Sequence, residues 1–228
     1  MADIDINKPG PMMAGMRGII MGVANERSIA WGIARAVAGH GAKLAFTYQD
    51  EAFGRRALPL AKSVGSDIVE PCNVLDPESV DRVFKRVEDE WGGLDFVVHA
   101  LAYSDPRELV GRYVNTTREN FSNTMVISCF SFTEVAKRAQ PLMKNGGSLL
   151  TLTYGGATRS VPSYNVMGVA KAALEASVRD SLPPGVTVGR PERRTATVDR
   201  MVRSFRVNLT ALGLVALLVG TYFVYNTL

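Results

Sequence analysis

Gly18-Ile-Ile-Met-Gly22-Val-Ala-Asn-Glu-Arg-Ser28-Ile-Ala-Trp-Gly32 decides the fold of this chain. Gly18–Val23 is apolar and reads as a short buried strand, while Ser28–His40 places Ala30, Ile33, Ala34 and Val37 on one helical face. A glycine at the strand end and small residues at the helix start let the backbone approach a pyrophosphate. The helix N-terminus adds free N–H groups and a partial positive charge. Gly22 and Ser28, at the strand end and the helix start, are therefore candidate cofactor contacts. The stretch is not a literal G-x-G-x-x-G, and a glycine-rich turn with no ligand is the alternative.

Downstream, apolar runs keep alternating with helical periodicity. Strands are predicted at Lys43–Tyr48, Asp67–Val74, Leu94–Leu101 and Ser148–Thr153. Helices are predicted at Ala52–Val64, at Pro77–Trp91 with proline in its first turn, from about Thr117 to Met143, and from near Tyr164. Short connections between such elements predict an α/β fold with a doubly wound parallel sheet of the Rossmann kind.

Such a sheet binds its ligand beyond the carboxyl ends of its strands. Gln49 ends the second strand and offers hydrogen bonds to ribose hydroxyls but no charge for a 2′-phosphate. This favours NADH, although nearby Arg55 and Arg56 leave NADPH open. Asn73 ends the third strand, where an adenine amino group would lie, with Val74 beside it; Ala100, Leu101 and Ala102 end the fourth, close to the ribose and nicotinamide. Each also has a plain alternative, a solvated helix start for Gln49 and ordinary packing for the small residues. His99 reads as a packed core histidine.

Tyr164-Asn-Val-Met-Gly-Val-Ala-Lys171 sets a phenol and an ammonium seven residues apart. Seven residues are nearly two helical turns, so both side chains share a face and can converge on one substrate atom. A cation within a few ångströms favours the ionised phenol, as suits a reaction that must stabilise or protonate an oxyanion. The alternative is two surface residues on an amphipathic helix.

Charge is distributed unevenly. Residues 1–178 hold 19 Lys+Arg and 19 Asp+Glu, while residues 179–206 hold seven Arg and three acids, which accounts for the net charge of +4. The basic character belongs to a short stretch, so nucleic acid is not an expected partner of the main domain. Cys72, Cys129, His40 and His99 show no metal-ligand spacing, and both cysteines read as reduced core residues. The acidic start Met1-Ala-Asp-Ile-Asp is unlike a signal peptide, so a cytoplasmic domain is expected.

The expected organisation is a flexible lead at 1–16, a dinucleotide-binding domain at 17–179, an Arg-rich linker at 180–206 and an apolar C-terminal helix at 207–228. Val207–Leu228 carries no charge over 22 residues. As a helix it would span about 33 Å, enough to cross a hydrocarbon core of roughly 30 Å. A membrane segment is therefore expected there, with a buried core helix as the alternative.

Taken together, Gly22…Ser28-Ile-Ala-Trp-Gly-Ile-Ala, Leu44-Ala-Phe-Thr-Tyr-Gln49, Leu149-Leu-Thr-Leu-Thr-Tyr154 and Tyr164-Asn-Val-Met-Gly-Val-Ala-Lys171 closely resemble the bacterial NADH-dependent enoyl-acyl carrier protein reductases, divergent short-chain dehydrogenase/reductases. The resemblance covers about residues 13–179. It rests on Tyr-x6-Lys with a further tyrosine ten residues upstream, where ordinary short-chain dehydrogenases carry a serine before Tyr-x3-Lys.

The resemblance implies NADH-dependent reduction of the trans-2 double bond of an acyl thioester on acyl carrier protein. It implies that Tyr164 stabilises the enolate oxygen, that Lys171 holds the nicotinamide ribose and that Tyr154 has a secondary role. It carries Gly22, Ser28, Ile29, Gln49, Asn73, Val74, Ala100, Leu101 and Ala102 onto cofactor positions. Asn73 stands where the family usually has aspartate, while Ala100 and Ala102 stand where serine or alanine and glycine are common.

After Arg179 the sequence departs from the family pattern. The sixth strand, the substrate loop and helix, and the seventh strand have no counterpart, and residues 182–228 resemble the approach to a membrane helix in lipoprotein-type ABC exporter permeases. A chimeric chain is therefore expected, in which NADH binding survives better than turnover and the family homotetramer is not retained. Membrane contact would run through 207–228. Another short-chain oxidoreductase acting on carbonyls, or a non-catalytic membrane-tethered fragment, remains the competing reading.

Overall fold

The computed structural model describes residues 10–180, which form five parallel strands and the helices that connect them. In chain order these are β1 (Arg17–Met21), α1 (Ile29–Gly39), β2 (Lys43–Tyr48), α2 (Glu51–Ser63), β3 (Ile68–Pro71), α3 (Pro77–Trp91), β4 (Phe96–His99), α4 (Arg118–Met125), α5 (Ser131–Ala139), β5 (Ser148–Thr151) and α6 (Asn165–Asp180). The spatial order is β3-β2-β1-β4-β5, every neighbouring pair being parallel. The chain winds outward from β1 through β2 to β3, then crosses back to β4 beside β1. The reversal of direction between β1 and β4 opens the crevice in which doubly wound sheets bind ligands.

Alternation along the central strands builds two cores. Ile19, Met21 and Val97 face α3 and α5, packing with Val80, Val83, Val87, Val135 and Ala139. Ile20, Phe46 and Val98 face the other way, onto Ala30, Trp31 and Ala34 of α1 and Ala61 of α2. Every residue of β4 is buried, as a parallel strand covered on both faces requires.

Local chemistry fixes the helix ends. The Asp50 carboxylate accepts from the N–H groups of Ala52 and Phe53 at the start of α2. Asp76 caps α3 ahead of Pro77, and Gly92 closes it in the left-handed conformation at φ 66°.

Three expectations need correction. The lead is not loose from residue 10 onward, because Gly10 N donates to Gly39 O at 3.1 Å and Met13 N to His40 O at 2.9 Å. Met13 and Met16 also pack against the α1 core, so these residues belong to the domain. The third strand ends at Pro71 rather than Val74: proline lacks a ladder donor, and Asn73 turns back to accept from Leu75 N at 3.1 Å. The long helix holds a π-helical segment at Val126–Phe130, between α4 and α5.

Among the described residues no helix is long and apolar enough to cross a membrane. The expected apolar helix at 207–228 and nearly all of the expected linker at 180–206 lie outside the described residues; only Asp180 falls within them, as the last residue of α6.

Candidate active site

The carboxyl ends of β1, β2, β3 and β4 bring most of the expected cofactor residues to one rim. Gly22 follows β1 at φ 95°, and a Cβ there would overlap the carbonyl of Ala100 beyond β4. Glycine is required at this point because it allows β1 and β4 to stay in register while their ends run side by side. Ala100 N in turn donates to Met21 O at 3.1 Å.

Ser28 is the N-cap of α1, yet its side chain makes no capping bond and its hydroxyl donates instead to Asn25 O at 2.7 Å. The first turn of α1 thus lacks the capping carboxylate that closes α2 and α3. The glycine cradle and the uncapped helix start both fit a dinucleotide pyrophosphate. Ile29 lies exposed beside this helix start.

Gln49 is exposed at the end of β2. Asn73 is half-buried, its side-chain oxygen accepting from Leu75 N and keeping a second lone pair; Val74 beside it is buried. Ala102 is exposed on the rim, whereas Leu101 packs against the core on the α3 side.

The catalytic candidates lie ahead of α6, at its start and within it. Tyr164 precedes the first residue of α6, and its carbonyl accepts from Gly168 N at 3.3 Å. Its ring meets that of Tyr154 edge-on, with centroids 5.1 Å apart and planes at 64°. A side chain on Gly156 would overlap the Tyr164 ring, so that glycine lets the phenol settle against the backbone. Tyr154 is half exposed.

Lys171 lies deeper, 4 % exposed, with Nζ donating to the carbonyl of Ser128 at 3.5 Å. Ser128 belongs to the π-helical segment, a distortion that changes the direction of local carbonyls and is often found at functional sites. The Ser128 hydroxyl bonds both the N–H and the carbonyl of Tyr103 just beyond β4.

Tyr164 and Lys171 shift in opposite directions. Burial, then the neighbouring Tyr154, pushes the Tyr164 phenol above its ordinary value, and Lys171 contributes no lowering. The phenol is therefore shifted toward its protonated form, with burial as the main cause. Tyr164 caps α6, its carbonyl accepting the first bond of that helix, while Lys171 lies within it. Burial lowers the Lys171 ammonium, with Cys129 partly opposing the shift.

His99 ends β4 beneath the rim and is fully buried, as its reading as a core histidine implies. Nε2 lies 2.8 Å from Ser131 Oγ and Nδ1 3.3 Å from Thr151 Oγ1. Burial, and then the charge of Lys171, lower its pKa to about 4. The imidazole is thus neutral near pH 7 and ties β4 to α5 and β5. Sequence reasoning missed Ser128, Ser131, Gly156 and Asn165. Only Gly156 and Asn165, lying among the glycines and motif residues around the two tyrosines, carried a local signal.

The model of the enoyl-(acyl carrier protein) reductase family matches residues 22–181. The chain belongs to that family.

An enoyl-[acyl-carrier-protein] reductase [NADH] of Rhizobium meliloti is 65% identical over 168 residues, spanning 74% of this chain and 63% of that protein. The FabI of Aquifex aeolicus is 45% identical over 169 residues, again 74% of this chain and 63% of its own length. Among solved structures, the enoyl-(acyl-carrier-protein) reductase of Anaplasma phagocytophilum in complex with NAD superimposes with a TM-score of 0.73 at 58% identity, covering 75% of this chain and 65% of that one. The chain therefore spans somewhat less than two thirds of these relatives' lengths. Residues 182–228 lie outside the family match, and their likeness to an exporter permease finds no support.

Proposed function

We propose that this chain is an NADH-dependent enoyl-acyl carrier protein reductase of fatty-acid biosynthesis. The observation that carries the reading is the edge-on Tyr154–Tyr164 pair at the carboxyl rim of the sheet, in a chain of this family. A bound nicotinamide would supply hydride to the β carbon of the enoyl thioester.

Gly22, Ser28 and Ile29 hold the pyrophosphate end, Gln49 the adenosine ribose, and Asn73 and Val74 the adenine. Ala100, Leu101 and Ala102 line the nicotinamide side, and Lys171 holds its ribose. Tyr164, kept protonated by its half-buried setting, donates to the thioester carbonyl oxygen as negative charge develops there. Tyr154 fixes the plane of that ring and shields one side of it from water. The exposed Gln49 presents no cation to a 2′-phosphate, which favours NADH over NADPH.

Purified chain mixed with NADH and either an enoyl thioester or a β-keto thioester tests the proposal through loss of NADH absorbance. Reduction of the enoyl substrate alone, with a rise in melting temperature on adding NADH, is expected. Reduction of the ketone alone would establish the carbonyl-reductase alternative. No binding and no turnover would leave a non-catalytic chain.

A further inference from the structure

We propose that Asn165 is a positioning residue that couples the 103–117 loop to Tyr164. Tyr164 is flanked on both sides by residues with positive φ, Ser163 at 58° and Asn165 at 28°. These are the only non-glycine residues in that region among those described. Side chains of L residues seldom adopt it, and such backbone persists where surrounding contacts over-determine it.

The contacts at Asn165 are specific. Its side-chain amide donates to the carbonyl of Glu108 at 3.0 Å and to that of Gly111 at 3.4 Å. Both partners accept only, so the NH2 group is the one that faces the loop. No other hydrogen bond links residues 103–117 to the start of α6 among the described residues.

The loop itself is internally braced. The Glu108 carboxylate accepts from the Thr117 N–H and hydroxyl and from the Asn120 amide. Asn120 also holds the Asp105 N–H at 2.9 Å and the Ser104 hydroxyl at 3.2 Å. The loop therefore moves as a closed unit, and Asn165 passes its position to the backbone that aims Tyr164. Val110, Tyr113 and Val114 stand exposed on it, so a ligand lying across the loop bears on the same hinge.

The test uses the full chain and the variants Asn165→Gly and Asn165→Asp. Glycine tolerates positive φ but removes both bonds; aspartate keeps the shape but turns a carboxylate toward two carbonyls. Amide exchange in residues 108–115 is expected to quicken at least tenfold in both variants, while exchange in β1 and α1 is unchanged. The Tyr164 phenol, followed by NMR, should titrate at a shifted pH. Enoyl-thioester kcat should fall with KM for NADH unchanged.

A purely backbone role would leave N165G with wild-type exchange and titration, and that result overturns the proposal. N165D, read the same way, decides if N165G does not fold. Only the kcat arm rests on the reductase reading. A wild-type chain without turnover would sink that reading while exchange and titration still judge Asn165.

Discussion

The rings of Tyr154 and Tyr164 meet edge-on with centroids 5.1 Å apart, and Gly156 supplies the space in which the Tyr164 ring packs. The contact joins the segment after β5 to the residue before α6. It holds the Tyr164 phenol in a half-buried setting that raises its pKa above the ordinary value.

Replacing Tyr164 by Phe keeps the ring contact and removes the donor. Steady-state kinetics with an enoyl thioester should show kcat reduced about 10²- to 10³-fold, the range for losing one oxyanion donor. NADH binding should persist. Tyr154→Phe should cost less, since its ring and not its hydroxyl meets Tyr164. Because burial, and then Tyr154, raises the Tyr164 phenol above its ordinary value, its donor function should stay constant across neutral pH.

His99 should govern an acid limb of stability. Its folded pKa of about 4 lies below the ordinary 6.5, so between those values the unfolded chain binds a proton that the fold refuses. Stability should fall as pH drops from about 6.5 toward 4, by on the order of 3 kcal/mol from this group. Urea midpoints measured across that window should slope for the wild-type chain. They should be nearly flat for His99→Gln, whose amide still reaches Ser131. An equal slope in both would assign the limb to other groups.

Gly22→Ala combines a Cβ overlap with Ala100 O and a φ of 95°. A loss above about 1 kcal/mol is expected from the backbone alone, with the overlap adding to it. Calorimetry should show a lower Tm and a weakened NADH-induced shift. Gly39→Ala, at the end of α1 with nothing within 4 Å, serves as the control and should lower neither.

Leu149 and Leu150 are each 38% exposed on β5, which is an edge of the sheet among the described residues. An apolar edge strand invites pairing with another chain. Leu150→Lys should lower concentration-dependent light scattering without changing the far-ultraviolet dichroism. Scattering that is unaffected would place the adhesive surface elsewhere.

Most of the fold was legible because its signals are local. Lys43–Tyr48 and Pro77–Trp91 appear at their expected bounds, carried by a short apolar run and by a capped, 3.6-periodic stretch. The third strand was overextended because Cys72-Asn73-Val74 is apolar enough to continue it, while Pro71 and the turn at Asn73 end it. The π-helical segment had no signature, since Val126–Phe130 is as compatible with an ordinary helix.

At the site, Gly22 and the rim residues followed from strand order in the chain. Ser128 and Ser131 did not, because their roles depend on which side chain arrives from another element. Ser128 becomes relevant only when α6 brings Lys171 against its carbonyl, and Ser131 only when β4 brings His99 within 2.8 Å.

The sequence by itself determined the alternation of strand and helix, the family mark around Tyr154, Tyr164 and Lys171, and the placement of candidate cofactor residues at strand ends. These follow from backbone periodicity and side-chain type, which neighbours along the chain set. Only the tertiary structure decided that Tyr164 packs edge-on against Tyr154 and that Lys171 is buried against Ser128. It also decided that Asn165 reaches a loop more than fifty residues away. Those outcomes depend on packing between segments distant in sequence, where burial and partner groups set both geometry and charge.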